Sequence, residues 1–265
     1  MPGRHNSGEM TSRLRAIAAD TVAICDRGSY EAERGPVRIT VNPASTRLHG
    51  PDEPLSLPAQ QSQLPRIDVT NESTLHATRR LDNNVAALVF ASARNPGGGF
   101  LNGAQAQEES IARSSALHPY LLAANDFYAH HRADSDLTYS DRVIYSPDVP
   151  VFRDDHGALL AEPYAVSFLT AAAPNRAAVI SNQPERAEGI PAILRRRAAR
   201  VLQVAAAHGH RNLVLGAWGC GVFGNEPATV AEAFREAIDR NRFFDHIVFA
   251  VLGAPTLAAF QEGLR

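Results

Sequence analysis

The chain has 265 residues, enough for one large α/β domain or, alternatively, two small ones. It is 45% hydrophobic and 20% charged with a net charge of −2, so no overall charge favours nucleic acid or a membrane as partner. It contains no lysine, which excludes a Walker-type phosphate loop and Schiff-base chemistry.

The composition also predicts a compartment. No apolar run approaches the roughly 20 residues that span a bilayer, and the first twenty residues lack the apolar core of a secretory signal. The two cysteines, Cys25 and Cys220, form no disulfide framework and suit a reducing environment. We therefore expect a cytoplasmic protein without a membrane partner.

Hydrophobic periodicity, together with proline and glycine breakers, predicts alternating helices and strands. In chain order these are a helix at 11–33, a strand at 37–41, an irregular loop at 42–66, a strand at 67–70, a helix ending at 81, a strand at 86–91, a helix at 105–124, strands at 143–145, 149–152, 165–170 and 177–180, a helix at 191–208, a strand at 212–217, a helix at 227–240, a strand at 246–252 and a helix at 255–264. This order indicates a single mixed or parallel sheet between helices, in one domain over 1–265. In such sheets, ligands bind outside the carboxyl ends of the strands.

Two glycine-rich loops follow two of the buried strands. The first is GGG at 97–99, and the second is GCGVFG at 219–224. Glycines let backbone amides approach an anion closely, and two such loops at one sheet edge fit a nucleotide diphosphate. Each loop alone is often only a tight turn.

Two adjacent acidic residues, Glu108 and Glu109, begin the helix after the first loop. Acidic residues are common in a first turn, because they complement the helix dipole, and this is the alternative without a catalytic role. Neighbouring helix positions point roughly 100° apart, so the two carboxylates cannot do the same work. One can hold a ribose hydroxyl while the other acts as acid and base at a glycosidic bond. A helix N-terminus lowers the pKa of a carboxyl group, so we expect burial beneath the substrate to supply the raised pKa that a general acid needs.

The segment ASARNPGGGFLNGAQAQEESIARSS at 91–115 resembles the signature of poly(ADP-ribose) glycohydrolases. In that signature, three glycines are followed after six to eight residues by Gln-Glu-Glu. The string LVLGAWGCGVFGNEP at 213–227 resembles the diphosphate loop of the compact, bacterial-type branch of the same family. SPDVPVFRDD and PYAVSFLTAAAPN extend the similarity towards the C-terminal strand.

The resemblance implies a fold and an activity. The fold is a macrodomain-like three-layer α/β sandwich, with a mixed, largely parallel central sheet and an N-terminal helical part at 1–35. The activity is hydrolysis of the ribose–ribose O-glycosidic bond of poly(ADP-ribose), which releases ADP-ribose. Glu109 would be the catalytic acid and base, and Glu108 would hydrogen-bond the leaving-side ribose. The family implies no metal and no cofactor.

The resemblance also implies a set of residues that bind the substrate. They are Gly97, Gly98, Gly99, Asn102, Gln107, Gly219, Cys220, Gly221, Val222, Phe223 and Asn225. The first loop would wrap the distal ribose with Gln107 bracing it, and 219–223 would bind the diphosphate. Val69, Thr70 and Asn71 are candidates for the adenine pocket, because they end an early strand.

The expected partners are poly(ADP-ribose), ADP-ribose and poly(ADP-ribosyl)ated proteins, and the family implies a DNA damage response. We expect a monomer without direct sequence-specific contact to nucleic acid. Two alternatives stay open: an ADP-ribose-binding macrodomain, and a hydrolase that removes ADP-ribose from another protein or nucleic-acid linkage. A requirement for Mg²⁺ would instead indicate the metal-dependent ADP-ribosyl hydrolases.

Three further groups are interpreted as structural. A solvated loop contains His130, His131, Asp134 and Asp136, and a helix C-terminal cap contains His208 and His210. A solvated basic helix face contains Arg195, Arg196, Arg197 and Arg200. For the basic face, contact with a polyanionic chain is the alternative. Cys220 lies inside the second loop, but no adjacent histidine would activate it as a nucleophile.

Overall fold

The computed structural model describes residues 4–81 and 84–265. Its helices are α1 (Arg4–Arg27), α2 (Thr74–Leu81), α3 (Gln107–Ser114), α4 (Leu117–Ala123), α5 (Asn125–Ala133), α6 (Arg176–Asn182), α7 (Ile190–Ala207), α8 (Pro227–Arg240) and α9 (Ala254–Gly263). Its strands are β1 (Ser29–Ala32), β2 (Gly35–Arg38), β3 (Arg47–His49), β4 (Arg66–Thr70), β5 (Val85–Phe90), β6 (Val143–Arg153), β7 (Leu159–Ala171), β8 (Asn212–Gly216) and β9 (His246–Ala250). Short 3₁₀ helices occupy Pro43–Ser45, Phe100–Asn102 and Pro184–Gly189.

Seven strands form one sheet in the order β3-β6-β7-β5-β8-β9-β4. From β7 to β4 the neighbours run parallel, while β3 and β6 are antiparallel to their neighbours. The prediction of a mixed, largely parallel sheet is therefore confirmed. β1 and β2 form a separate antiparallel hairpin.

Alternate residues of the central strand β5 face opposite helical layers. Ala86 and Leu88 pack in a core with residues of α7, α8 and α9. Ala87 and Val89 pack in a second core with residues of α2, α3, α4 and α5. A strand covered on both faces needs apolar residues throughout, which explains the continuous apolar run in the sequence. The three-layer sandwich is confirmed.

The N-terminal part differs from the helix predicted at 11–33. α1 already ends at Arg27, because Gly28 takes a left-handed φ of 68° and closes the helix with a bond from its N–H to the carbonyl of Ile24, 2.8 Å away. Residues 29–38 then form the β1–β2 hairpin. The segment 42–66 is irregular apart from a 3₁₀ turn and β3, which pairs with β6.

Two further predicted elements are wrong. The helix at 105–124 is interrupted, because Ser115 is extended and bridges Val151 of β6. The strand at 177–180 is the helix α6, whose first turn is capped by the side chain of Asn175 accepting from the N–H of Ala178. The predicted strands at 143–145 and 149–152 are one strand, β6, with a register shift between Ser146 and Val149.

The parallel strands bring their carboxyl ends to one sheet edge, where the two glycine-rich loops lie. α1 packs against the turn after the first loop, where Ala18, Phe100 and Ala112 form a small core. Arg15 Nε also donates to the carbonyl of Asn102, 3.0 Å away. The N-terminal helix thus supports the loop from outside. None of the helices within the described part of the chain is both long and apolar enough to cross a bilayer.

Candidate active site

The first loop begins where β5 ends and turns back against α3. Gly97 and Gly98 take φ values of 71° and 61°, a region that side-chain-bearing residues rarely adopt. The N–H of Gly98 donates to the carbonyl of Asn95 over 3.0 Å. A Cβ on Gly98 would lie 2.3 Å from Oε1 of Glu109. The loop follows this path only with glycine, and it lies directly against the acidic end of α3.

Gln107 fixes the start of α3 to the end of β5. Its Oε1 accepts from the N–H of Phe90 over 2.9 Å, and its Nε2 donates to the carbonyl of Leu88 over 2.7 Å and to Oγ1 of Thr74 over 3.0 Å. Both ends of the amide are used. Gln107 therefore braces β5 and α2, whereas the sequence predicted that it braces the glycine loop itself.

Glu108 is buried, with 3% of its surface exposed. Its Oε2 accepts from the N–H of Ser92 over 2.6 Å, while no described residue bonds its Oε1. Burial raises the pKa of Glu108 well above its usual range, and the N–H groups of Ser92 and Gly97 oppose that rise. Burial also raises the pKa of Tyr128, and the negative charge of Glu108 raises it further. Glu108 is thus held in place by one oxygen, and its proton is retained to a higher pH than that of an exposed carboxyl.

Glu109 is only half-buried, and its Oε1 accepts from the N–H of Gly99 over 2.9 Å. One turn later, Arg113 donates to the carbonyl of Ala104 over 2.6 Å and closes the segment between the loop and α3. The two glutamates, adjacent on one helix, therefore have different surroundings. Glu109 faces the glycine loop and solvent, and Glu108 faces the protein interior.

The second loop is closed on itself by Asn225. Gly219 has a φ of 71°, and a Cβ there would lie 2.5 Å from Nδ2 of Asn225. Nδ2 of Asn225 donates to the carbonyls of Pro174 and Gly219, over 2.9 and 3.2 Å. The side chain of Asn225 is 2% exposed, so it holds the loop in shape rather than reaching outward.

The tip of this loop presents unpaired backbone donors. The N–H groups of Gly221, Val222 and Phe223 have no acceptor among the described residues, whereas the N–H groups on either side are bonded within the loop. Val222 is 88% exposed. Successive free N–H groups in such a turn form a concave site for an anion.

Two other side chains of the loop have limited roles. Burial raises the pKa of Cys220 to about 12, so its thiol stays protonated near neutral pH and is no nucleophile. Phe223 is half-buried, and its ring centroid lies 6.0 Å from that of Tyr139. Phe223 is thus held by a second aromatic ring beside the free amides.

The adenine candidates lie at the same edge of the sheet but farther away. Val69 and Thr70 end β4, three strands from β5, which is roughly 14 Å at the usual spacing. Val69 is half-buried and Asn71 exposed. The carbonyl of Thr70 accepts from the N–H of Val251, 2.9 Å away. Asn102 is exposed, and the hydrogen bonds found for it among the described residues are those of its backbone, from its N–H to the carbonyl of Gly99 and from Arg15 to its carbonyl.

Sequence reasoning missed Ser92 and Thr74. Ser92 binds Glu108 through its backbone, and Thr74 binds Gln107 from another helix. Ser92 lies inside the recognised motif, but a backbone contact leaves no signal in residue type.

Several groups interpreted as solvated are buried instead. His131 lies in α5 with its Nε2 2.7 Å from Oγ of Ser140, and burial lowers its pKa to about 4. Arg197 is fully buried, with its Nε 2.8 Å from Asp141. Arg200 is 8% exposed, while Arg195 and Arg196 do reach the surface. The predicted solvated face is therefore wrong for two of its four arginines, because α7 packs with that side against the sheet.

The two histidines after α7 form part of a buried ring cluster. His208 follows the helix end as predicted and stacks on Tyr145, with ring centroids 3.6 Å apart. Nε2 of His210 lies 2.9 Å from the hydroxyl of Tyr145. Within 4–81 and 84–265, no three His, Cys, Asp or Glu side chains are grouped closely enough to hold a metal ion.

The three-layer sandwich, with two glycine-rich loops at the carboxyl edge of its sheet, is the arrangement of a macrodomain-like fold. A family model described as "Microbial-type PARG, catalytic domain" matches residues 18–154. The chain belongs to the microbial-type poly(ADP-ribose) glycohydrolase (PARG) family, and it is an enzyme that hydrolyses poly(ADP-ribose).

Solved structures agree with this assignment. The poly(ADP-ribose) glycohydrolase of Thermomonospora curvata is 50% identical, with a TM-score of 0.87, over 95% of this chain and 99% of that chain. The same enzyme bound to the inhibitor ADP-HPD gives a TM-score of 0.85 at 50% identity, over the same shares of both chains. The Deinococcus radiodurans enzyme in complex with ADP-ribose is 44% identical, with a TM-score of 0.78, over 84% of this chain and 95% of that chain. Among curated proteins, no sequence matches this one.

Proposed function

We propose that Glu109 is the general acid and base of the reaction. The observation that carries this role is the contact of its half-buried carboxylate with the N–H of Gly99, beside a glycine with no room for a side chain. A carboxylate held by one oxygen at a solvent-facing edge can exchange a proton with substrate and water. Glu109 gives its proton to the leaving ribose oxygen as the glycosidic C–O bond breaks. It then takes a proton from the water that attacks the oxocarbenium-like carbon.

Glu108 holds the ribose on the leaving side. Its Oε2 is occupied by the N–H of Ser92, while its Oε1 has no bond to any described residue. A buried polar oxygen without a partner costs free energy, and a ribose hydroxyl would satisfy it. Glu108 is thus a positioning group that substrate binding completes.

The diphosphate of the bound ADP-ribose unit is held by the backbone of the second loop. The free N–H groups of 221–223 support this placement, and the D. radiodurans relative binds ADP-ribose with the same fold. The distal ribose lies against 97–99, and the adenine extends towards the end of β4 near Val69 and Asn71. The separation of roughly 14 Å between the ends of β5 and β4 suits the length of an ADP-ribose molecule.

The decisive experiment measures ADP-ribose released from poly(ADP-ribose) by the wild type and by Glu109→Gln. We expect turnover to fall by about 10²- to 10⁴-fold, because general acid–base catalysis contributes that much. Calorimetry with ADP-ribose should show unchanged affinity. Glu232→Gln is the matched control, since Glu232 is exposed on α8 and forms no ion pair among the described residues. Undiminished turnover in Glu109→Gln would refute the mechanism.

The same variants separate the alternatives. A binding module would bind ADP-ribose but release none with the wild type. A hydrolase of other linkages would prefer mono(ADP-ribosyl)ated protein or nucleic acid to the polymer. Loss of activity with a chelator, restored by Mg²⁺, would indicate the metal-dependent class instead.

We further propose that the protein acts as a monomer on poly(ADP-ribosyl)ated proteins in the cytoplasm, as part of a DNA damage response. The family resemblance supports the substrates and the response. Two unpaired cysteines, Cys25 and Cys220, suit a reducing compartment. Light scattering in solution and cell fractionation test the oligomeric state and the compartment.

A further inference from the structure

Arg94 lies between two backbone contacts of the active site. The N–H of Ser92, two residues earlier, binds Oε2 of Glu108 at 2.6 Å. The carbonyl of Asn95, the next residue, accepts from Gly98 at 3.0 Å. Arg94 itself is exposed, and its guanidinium has no partner among the described residues. The backbone of Arg94 is therefore fixed while its charge is free.

Arg132 on α5 adds a second charge at the same place. Its Nη1 donates to the carbonyl of Arg94 over 2.8 Å, and its Nη2 to Oδ1 of Asn125 over 3.3 Å. Both acceptors are neutral. Within the described ranges, neither Arg94 nor Arg132 has a carboxylate within ion-pair distance, although Asp134 lies nearby and pairs with His130 at 4.0 Å.

Some other arginines of the chain, by contrast, are neutralised by carboxylates. Arg197 pairs with buried Asp141, and Arg211 forms two bonds with Asp245. At the second loop, Arg176 pairs with Glu226 at 3.3 Å. Two exposed arginines, linked by the bond from Arg132 to the carbonyl of Arg94 and without carboxylate partners among the described residues, create a local positive potential in a chain whose net charge is −2.

We propose that Arg94 and Arg132 bind a phosphate of the ADP-ribose unit on the leaving side of the scissile bond. The proposal rests on the role of Glu108 given above. The leaving ribose carries its own diphosphate on its 5′ carbon, so a phosphate follows a few bonds after the oxygen that leaves. Arg94 is two residues from the backbone group that holds Glu108, and an arginine side chain spans such a gap. The guanidinium fork matches a phosphate in shape and charge.

This subsite would make the enzyme favour polymer over smaller leaving groups. The test compares two substrates: the dimer of ADP-ribose, and its analogue in which the leaving unit is adenosine without the 5′ diphosphate. For the dimer we expect Arg94→Ala and Arg132→Ala each to raise KM about 5-fold, as for an exposed charge contact, with little change in kcat. For the analogue, KM should be unchanged.

Salt dependence gives an independent readout. Each phosphate contact adds roughly 0.7 to the slope of log affinity against log salt for a flexible polyanion. Because the two arginines share one phosphate, the double variant should lower the slope of log KM for the dimer by about 0.7 and leave the slope for the analogue as in the wild type.

The matched control is Arg34→Ala with Arg38→Ala. Both arginines are exposed in the β1–β2 hairpin, and neither forms an ion pair among the described residues. The hairpin is bonded to the carbonyl of Leu160 in β7 through the hydroxyl of Tyr30, and neither arginine forms a hydrogen bond with a site residue among the described residues. These variants remove the same charge and should leave KM for both substrates unchanged.

The outcomes separate this subsite from the proposed function. Equal KM values for the dimer in wild type and both arginine variants would overturn the subsite and leave the glycohydrolase mechanism standing. Weaker binding of free ADP-ribose by Arg94→Ala would also overturn it, because the arginine would then serve the bound unit. Arg132→Lys, which keeps a charge, should recover part of the loss if Arg132→Ala is disturbed structurally. If the wild type cleaves neither substrate, the proposed function fails together with the subsite.

Discussion

Replacing Gly98 with alanine tests how the first loop positions the carboxylate of Glu109. The new Cβ would lie 2.3 Å from Oε1 of Glu109 and 3.1 Å from Oε2 of Glu108, so the flexible end of Glu109 must move. Movement breaks the bond of 2.9 Å between the N–H of Gly99 and Oε1 of Glu109. The substitution therefore affects the catalytic group directly, without removing any atom of it.

The magnitude has two parts. An L-residue at a φ of 61° costs about 1–2 kcal/mol of folding free energy. The lost charge-assisted bond adds about 1 kcal/mol, because water replaces part of it at a half-buried carboxylate. A displacement of about 1 Å at a reacting group lowers the rate about 10²-fold. We expect the free energy of unfolding to fall by about 2–3 kcal/mol and kcat to fall about 100-fold.

Gly209→Ala is the matched control for backbone strain. Gly209 has a φ of 78° and follows α7 at the opposite edge of the sheet, and a Cβ added there would meet no heavy atom within 4 Å. The variant should lose about 1–2 kcal/mol of stability and keep its kcat. Denaturant unfolding and steady-state release of ADP-ribose measure both quantities. If Gly98→Ala kept the wild-type kcat and were destabilised no more than Gly209→Ala, the reasoning would be refuted.

Two other substitutions test the surroundings of the site. Burial raises the pKa of Glu108 in the folded state, so ionisation costs folding free energy once the pH exceeds the unfolded value of about 4.3. Glu108→Gln removes that cost. The melting temperature of the variant relative to that of the wild type should therefore rise between pH 4 and pH 7. A difference in melting temperature that does not change with pH would contradict this expectation. In Gly103→Ala, the new Cβ would lie 2.7 Å from the carbonyl of Thr11, so α1 should separate from the loop. We expect faster proteolysis of residues 4–27 and a lower kcat. Unchanged protection of α1 against proteolysis would show that this contact is unimportant.

The sequence predicts those parts of the fold that depend on local pattern. The strand β5 is apolar at every position, and this continuity reflects cover by helices on both faces. Errors occur where tertiary contacts override the pattern. Ser115 would continue a helix by propensity, but it pairs with Val151 of β6. The apolar run at 177–180 suits strand or helix alike, and the cap from Asn175 decides for helix.

The residues of the candidate site could be predicted from the sequence, but their contacts and burial could not. Helix geometry shows that Glu108 and Glu109 point in different directions, yet it does not say which direction is the interior. That depends on how α3 packs against Ser92, which binds Glu108 through its backbone N–H, and against Tyr128, which is distant in sequence. The same applies to Arg197, whose burial beside Asp141 is invisible in a run of three arginines.

The two carboxylates act as a pair because of the loop, not because of the helix alone. Their side chains diverge from adjacent positions, and each is caught by a backbone N–H from a different part of the same loop, Ser92 for Glu108 and Gly99 for Glu109. The point above Gly98 that a Cβ would fill lies within 3.1 Å of oxygens from both side chains. Convergence on that point requires a residue without a side chain. Glycine at position 98 therefore serves the proposed acid and base as well as the turn, since any side chain there would displace the carboxylate of Glu109.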